Sequence, residues 1–303
     1  MTLSVVVITY QRPEFLRRCL VSLAQLRFPA DEVLVVDQSP DDQSRVVAEQ
    51  VGVRWLDNKA NAGNMTSSRN VGLQIATGDL VAFIDDDVEV DPGWSAALAE
   101  VFGDLPEVGG ATGLTLNDGQ VHDWCAAVGS VDASGRLVGH FDCTAVTARQ
   151  PVSHLLGANM TFRRSALMAM GGFDEDWPGT AMAEDTDVAL RIRRAGWSLV
   201  FDPAVRVVHY GAPHVRGQRF DLRYHFYARR NYTRLLLRHR SLLGVGVVTY
   251  LLGAWAEDVA SGRRTASRLV RLAASTGGVA TGLLAAASKG ELRGAPIARA
   301  EDA

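Results

Sequence analysis

Asp85, Asp86 and Asp87 stand together in FIDDDVEVDPGW (residues 83–94), at the end of an apolar run. Neighbouring carboxylates repel, so such a turn is either solvated or faces a cation. On a pleated strand residues i and i+2 point the same way, so Asp85 and Asp87 converge while Asp86 faces elsewhere. Two hard oxygen donors of this kind suit Mg2+ or Mn2+, ions that keep waters and share substrate phosphates. A second acidic pair, Glu184-Asp185, precedes DVALRIRRAG. Asp185 there either complements a helix dipole or acts as an ionised general base. His209 closes VRVVHYG, as a structural histidine or as an imidazole ligand to the same metal. Asp37 ends EVLVVDQS, where it starts a turn or accepts the N3–H of a pyrimidine base. Arg69, in NAGNMTSSRNVG, pairs with a surface acid or clamps a phosphate beside a cleft. Glu89 and Asp91 read as solvated turn residues ahead of a helix after Pro92. Neither a GxxxxGKS/T loop nor a GxGxxG cradle is present.

These residues need strands and helices to carry them. LSVVVIT (3–9) is a short apolar run rich in β-branched residues, as in a strand covered on both faces, and EVLVVDQS (32–39), VRWLDN (53–58) and LVAFID (80–85) read as the next three strands. Helical spacing of Phe15, Leu16, Cys19, Leu20, Leu23 and Leu26 separates the first two runs, and MTSSRNVGLQIA (65–76) precedes the fourth. The alternation predicts a mostly parallel α/β sheet, in which ligands sit outside the carboxyl ends of the strands. Thr9, Asp37 and Asp85 all fall at those ends. Residues 109–155 hold Gly-rich, strand-like pieces (GGATGLTL, AAVGSVDASGRLVGHF) that suit hairpins or an insertion, 164–170 and 184–197 read as helices, and SLVFDPAVRVVHYG as two short strands.

The 303 residues are 47% hydrophobic and 21% charged, an ordinary globular composition. Three cysteines, Cys19, Cys125 and Cys143, without CxxC spacing or an even count, point to a reduced, intracellular setting. No signal peptide is read at MTLSVVVITYQRPEF. The net charge of −3 hides a split: residues 1–215 hold 16 Lys+Arg against 28 Asp+Glu, and residues 216–299 hold 15 against 4. The expected division is therefore a catalytic unit over 1–215 and a basic helical segment over 216–303, serving membrane association or oligomerisation. Two uncharged stretches there, 241–256 and 272–288, are shorter than the ~20 residues of a spanning helix and suit packed, dimerising or interfacial helices beside an anionic lipid face.

Five elements run in order: VVVITYQRPEFLRRCLVSL, VLVVDQS, NAGNMTSSRNVGLQIATGDLVAFIDDD, RRSALMAMGGFDE and AEDTDVALRIRRAGWSLVFDPAVRVVH. In these the chain resembles the family 2 inverting glycosyltransferases with the GT-A fold, over roughly residues 3–210 and most weakly in 115–155. The resemblance implies a Rossmann-like, mostly parallel sheet with a small mixed sheet, followed here by the C-terminal helical segment. It implies transfer of a sugar from a nucleotide-sugar to an acceptor hydroxyl with inversion, aided by Mg2+ or Mn2+. Carried over by position, Thr9, Arg12 and Asp37 line the nucleoside pocket, with Arg69 near the diphosphate or base. Asp85 and Asp87 match the DxD element, Asp85 near ribose or metal and Asp87 on the metal; His209 matches the histidine that completes the site. Asp86 is counted with the nucleotide-sugar residues, although its opposite facing leaves a structural role open. Asp185 matches the catalytic base. Gly172, Phe173, Asp174, Trp177 and Glu184 fall in the region meeting acceptor and donor sugar. The YQRP start and the GGFDE–EDTD arrangement are similar to rhamnosyl- and galactofuranosyl-transferring relatives, which implies a dTDP- or UDP-linked donor.

The chemistry agrees, because displacement at an anomeric carbon needs a carboxylate to take the acceptor proton and a cation for the departing diphosphate. A nucleotidyltransferase acting on sugar phosphates would also use metal-bound aspartates but has no need of the EDTD and GGFDE elements. A non-catalytic nucleotide-sugar-binding protein is the third reading. The expected acceptor is a glycan, a glycolipid or a natural product, at the cytoplasmic face of the plasma membrane. No nucleic-acid partner is expected, and the helical segment leaves a homo-oligomer open.

Overall fold

The structure, a computed structural model, describes residues 1–132, 134–179, 181–213, 221–243, 247–260 and 265–291. The proposed boundary at 215/216 and the acidic C-terminal residues lie outside them. The first half alternates strand and helix: β1 (Leu3–Thr9), α1 (Pro13–Ala24), β2 (Glu32–Asp37), α2 (Gln43–Val51), β3 (Arg54–Asp57), α3 (Met65–Ile75) and β4 (Leu80–Asp85). Pro13 opens α1, where its missing N–H costs nothing, and left-handed Gly52 closes α2. The Asn64 side chain caps α3 through the Ser67 N–H. Then follow β5 (Val88–Val90), α4 (Trp94–Asp104), β6 (Val108–Asn117), β7 (Ser130–Val131), β8 (Leu137–Val138), β9 (Gln150–Pro151) and β10 (Asn159–Arg163). The chain continues through α5 (Arg164–Ala169), α6 (Glu184–Arg194), β11 (Ser198–His209), α7 (Leu222–Leu243), α8 (Val247–Ala260) and α9 (Thr265–Ser288).

Nine strands form one sheet ordered β3-β2-β1-β4-β10-β6-β11-β5, with β9 on β11. Pairings make β1, β2, β3, β4, β6 and β11 co-directional, while β5, β9 and β10 run against them. Alternate residues feed opposite layers: Val5, Val7, Ala82 and Ile84 pack towards α1, α2 and α4, and Val6, Val81 and Phe83 towards α3 and α6. Gly72 lets α3 lie against β1, since a Cβ there would fall 2.3 Å from Val6 Cγ1.

Several expectations are corrected. The Gly-rich 109–117 stretch is not a hairpin but the buried central strand β6, because its glycines admit close neighbours from β10 and β11. SLVFDPAVRVVH is one strand, broken in register between Asp202 and Val207. That bulge presses on Gly113, where a Cβ would lie 1.9 Å from the Val205 carbonyl oxygen, and it redirects the end of β11 onto β5. The small sheet, β7 with β8, is antiparallel rather than mixed. Glu89 is no solvated turn residue: it lies on β5, 2.6 Å from Arg18 Nη2 and bonded to the Tyr210 hydroxyl. Cys125 and Cys143 are joined in a disulfide across a Cα separation of 6.1 Å, leaving Cys19 free and buried. The expectation of three reduced cysteines failed because folding of the 118–149 loop, not local spacing, brings the two together.

The basic C-terminal segment does not stand apart. Tyr232, Leu235 and Leu236 of α7, with Tyr250 and Ala254 of α8, pack on Trp177, Ala181, Ala183 and Leu190. Among the described residues, one helical stretch, Leu269–Ser288, is long and apolar enough to cross a membrane, and 22% of it is buried.

Candidate active site

Thr9, Asp37 and Asp85 are the last residues of β1, β2 and β4, and the sheet register puts Thr9 beside Asp37 and Ile8 beside Asp85. Asp85 closes its strand, while Asp86 and Asp87 form the turn into β5. The turn, rather than strand pleating alone, brings Asp85 and Asp87 together. The β11 bulge delivers His209 opposite Val88, so that Asp85, Asp87 and His209 present ligand atoms within 4.8 Å of one another. His209 Nε2 is 3.3 Å from Asp87 Oδ1. Asp85 Oδ1 and Asp87 Oδ1 are buried and accept no hydrogen bond among the described residues. Two converging carboxylates and one imidazole fit a hard or borderline divalent ion.

The other Asp87 oxygen accepts the Ala212 N–H at 2.7 Å. Burial raises the Asp87 pKa, but His209, that N–H and Arg12 outweigh it, so the group is held below the usual carboxylate value. Desolvation moves the Asp85 pKa upward despite Arg69. Asp86 turns away, accepting from the Thr9 hydroxyl at 2.7 Å and from Arg12 at 3.2 Å, and burial pushes it to about 7. Thr9 and Arg12 are therefore held by Asp86. Asp37 is fully buried and accepts the Ser39 N–H and the Trp55 indole N–H, and desolvation raises its pKa.

Glu184 and Asp185 begin α6. Asp185 accepts the Thr186 N–H at 2.6 Å and the Gly157 N–H at 2.9 Å, and remains partly exposed. Arg69 is not an open phosphate clamp. Only 1% exposed, it pairs directly with Glu184 and reaches Asp85 at 3.6 Å. Burial pushes Glu184 up to about 8, and the neighbouring Asp185 and Asp85 add to it, against the pull of Arg69. One guanidinium thus joins the Asp85–Asp87–His209 cluster to the Glu184-Asp185 pair.

The GGFDE turn faces inward more than its sequence suggests. Gly171 and Gly172 both adopt φ +73°, and a Cβ on Gly172 would strike Asn70. Asn70 bonds both the N–H and the carbonyl of Phe173, whose ring is buried against Phe83. Trp177 is 3% exposed, beneath Arg234. Asp174 accepts the Asp176 N–H and pairs with Arg234 and Arg238, which together hold its carboxyl at about 2 in spite of burial. Gly172 and Phe173 are thus packed against α3, and Asp174 and Trp177 against α7. Sequence reasoning missed Gly157 and Trp55, which carry no pattern of their own. It also missed Arg230, Arg234 and Arg238, although their i, i+4, i+8 spacing was readable as one helix face.

The family model described as Glycosyl transferase family 2 matches residues 4–170. This chain belongs to glycosyl transferase family 2. As a family 2 member it is an enzyme, a glycosyltransferase using a nucleotide-sugar donor. It is 29% identical over 221 residues to the glucosyl-dolichyl phosphate glucuronosyltransferase of Haloferax volcanii, covering 69% of each chain. It is also 29% identical over 236 residues to the N-acetylglucosaminyl-diphospho-decaprenol L-rhamnosyltransferase of Mycobacterium tuberculosis, covering 69% of this chain and 76% of that one. The fold is shared with a mannosyltransferase from Pyrobaculum calidifontis solved with GDP-Man and Mn2+: TM-score 0.53, 20% identity, 94% of this chain and 75% of that one. The expected GT-A architecture is thereby borne out.

Proposed function

We propose that this family 2 enzyme is a metal-dependent, inverting glycosyltransferase in which Asp185 is the catalytic base and Asp85, Asp87 and His209 hold Mg2+ or Mn2+. One observation carries the reading: Arg69 contacts both Asp85 and Glu184, so the acidic cluster and the α6 terminus belong to one site. The bound ion would neutralise charge on the departing diphosphate. Asp185 takes the proton from the acceptor hydroxyl as that oxygen bonds to the anomeric carbon, and the nucleoside diphosphate leaves from the opposite face with the bonding electron pair. The Gly157 and Thr186 N–H groups hold and orient the Asp185 carboxyl at the start of α6. Asp37 takes the base side of the nucleoside pocket, with Thr9 and Arg12 fixed beside it by Asp86. Arg69 acts through the two carboxylates it separates, and Gly172, Phe173, Asp174, Trp177 and Glu184 shape the wall facing acceptor and donor sugar.

A dTDP- or UDP-sugar is the donor we favour, from the resemblance noted above. For the acceptor we favour a lipid-linked glycan, since both curated relatives are named for lipid-phosphate-linked sugars. Residues 1–215 would then be the catalytic unit and 216–303 its membrane-facing or oligomerising segment, at the cytoplasmic face. Val248, Leu252, Leu269 and Leu284 are exposed on α8 and α9, each more than 60%. The charge asymmetry counts for less than its number, because Arg230, Arg234, Arg238 and Lys289 already face internal acids.

The test is thermal denaturation with nucleotides and nucleotide-sugars, with and without Mn2+. Ligand at ~100 times its Kd stabilises by ~2.7 kcal/mol, a shift of roughly 5–10 °C. Asp87→Asn should lose the Mn2+-dependent part, whereas Asp185→Asn should keep it and lose transfer. An undiminished Mn2+ response in Asp87→Asn, or full transfer by Asp185→Asn, would overturn the assignment.

A further inference from the structure

We propose that α7, which lies outside the family-matched stretch 4–170, positions the Glu184-Asp185 end of α6, with Arg234 as the principal positioning residue. Arg234 is fully buried and makes four directed bonds at its hub. It donates to Asp174 Oδ2 at 2.6 Å, to the Asp176 carbonyl at 2.8 Å, and to both oxygens of Glu291 at 3.0 and 2.8 Å. Its guanidinium lies 5.2 Å from the centre of the Trp177 ring. One turn earlier Arg230 holds Asp176 at 2.8 Å, and one turn later Arg238 spans Asp174 at 2.8 Å and Asp187 at 3.1 Å. A single face of α7 therefore grips the 174–178 loop and, two residues beyond Asp185, α6 itself.

The contact with α6 is specific in geometry. His239 Nδ1 lies 3.2 Å from Arg194 Nη2, which can only donate, so Nε2 carries the proton and donates to Asp187 Oδ1 at 2.8 Å. Burial disfavours the imidazolium, in agreement with a neutral ring.

The connection between loop and helix is held in a conformation that local sequence does not favour. Gly179 has φ +78°, and a Cβ there would lie 2.3 Å from Tyr227 Cγ, so α7 touches its backbone. Ala181 and Ala183 adopt φ +51° and +70°, left-handed values that alanine rarely takes. Ala183 immediately precedes Glu184, and both alanines are buried in the cluster with Tyr232, Leu235 and Leu236. Such backbone persists only where surrounding structure over-determines it. A helix that merely covered apolar surface would need the leucines but not a buried arginine, whose desolvation is costly unless its partners require it. Donor-side residues stand on other elements, Asp37, Asp85, Asp87 and His209 on β2, β4, the turn into β5 and β11, and Arg69 links this set to Glu184.

The geometry stands on its own; its catalytic consequence rests on Asp185 being the base. The experiment compares full-length wild type with Arg234→Met, and with Arg234→Lys and Asp174→Asn in case the first fails to fold. Hydrogen exchange is followed by mass spectrometry. Binding of whichever of UDP, dTDP or GDP the wild type takes up with Mn2+ is measured calorimetrically, and release of that diphosphate from its sugar ester gives turnover. We expect exchange in 179–187 to rise at least ~10-fold while 80–88 stays protected. Nucleotide affinity should stay within about threefold, and turnover should fall about 100-fold, the scale of a small misplacement of a catalytic group. Arg234→Lys should recover part of that loss. Unchanged protection of 179–187 would overturn the inference, as would parallel loss of protection at 80–88 and of nucleotide affinity. If no diphosphate binds wild type, the functional reading fails, and the exchange comparison still decides the role of α7.

Discussion

Arg69→Met tests the strut at the centre of the site. Arg69 is 1% and Glu184 5% exposed, so removing the guanidinium leaves a buried carboxylate facing Asp85 and Asp185 without its counter-charge. Breaking a buried pair from one side costs about 3–5 kcal/mol. Burial holds the Glu184 carboxyl at about 8 even beside Arg69, so at neutral pH it is already largely protonated and loss of the guanidinium strands less charge than in a fully ionised pair. We therefore expect the lower end, about 3 kcal/mol. At ~2–4 °C per kcal/mol the melting temperature should fall by roughly 6–12 °C. The assay is calorimetric denaturation of the full chain at pH 7 with chelator, so that metal binding does not contribute. The double variant Arg69→Met/Glu184→Leu removes both partners and should regain at least half of the loss, since apolar groups of similar volume replace a buried pair at little cost. A fall below about 2 °C, or a double variant less stable than the single one, would refute the reasoning. It would return Arg69 to the role of an accessible phosphate clamp.

Two further outcomes follow. Under denaturing, non-reducing conditions one cysteine, Cys19, should alkylate, and three after reduction; reduction should also lower stability by about 3 kcal/mol for a crosslink spanning 18 residues. Alkylation of all three without reductant would remove the disulfide and restore the reduced, intracellular reading. The exposed apolar residues of α8 and α9 should float the protein with anionic vesicles at low salt, and Leu252→Glu with Leu284→Glu should weaken flotation. Failure to float at low salt, with a dimer in solution instead, would give that face to a second copy of the chain.

Much of the donor half was legible without coordinates. LSVVVIT, EVLVVD and LVAFID announce strands because apolar β-branched residues cluster over strand length, and each appears within a residue or two of its expected bounds. Thr9, Asp37 and Asp85 at their carboxyl ends follow from that alternation alone. GGATGLTL reads as strand-like, but its central place in the sheet was not legible, because its glycines answer to neighbours that sequence does not reveal.

Local pattern therefore determined the strand–helix order, the acidic strand ends and the family. Only the tertiary structure decided what those charges face, because a charge's partner depends on distance in space. It turned Arg69 from a cleft clamp into a buried strut and folded Asp86 back onto Thr9 and Arg12. It used a bulge in β11 to carry His209 to Asp87, and set the arginines of α7 against Asp174, Asp176 and Asp187 instead of leaving them for a lipid surface.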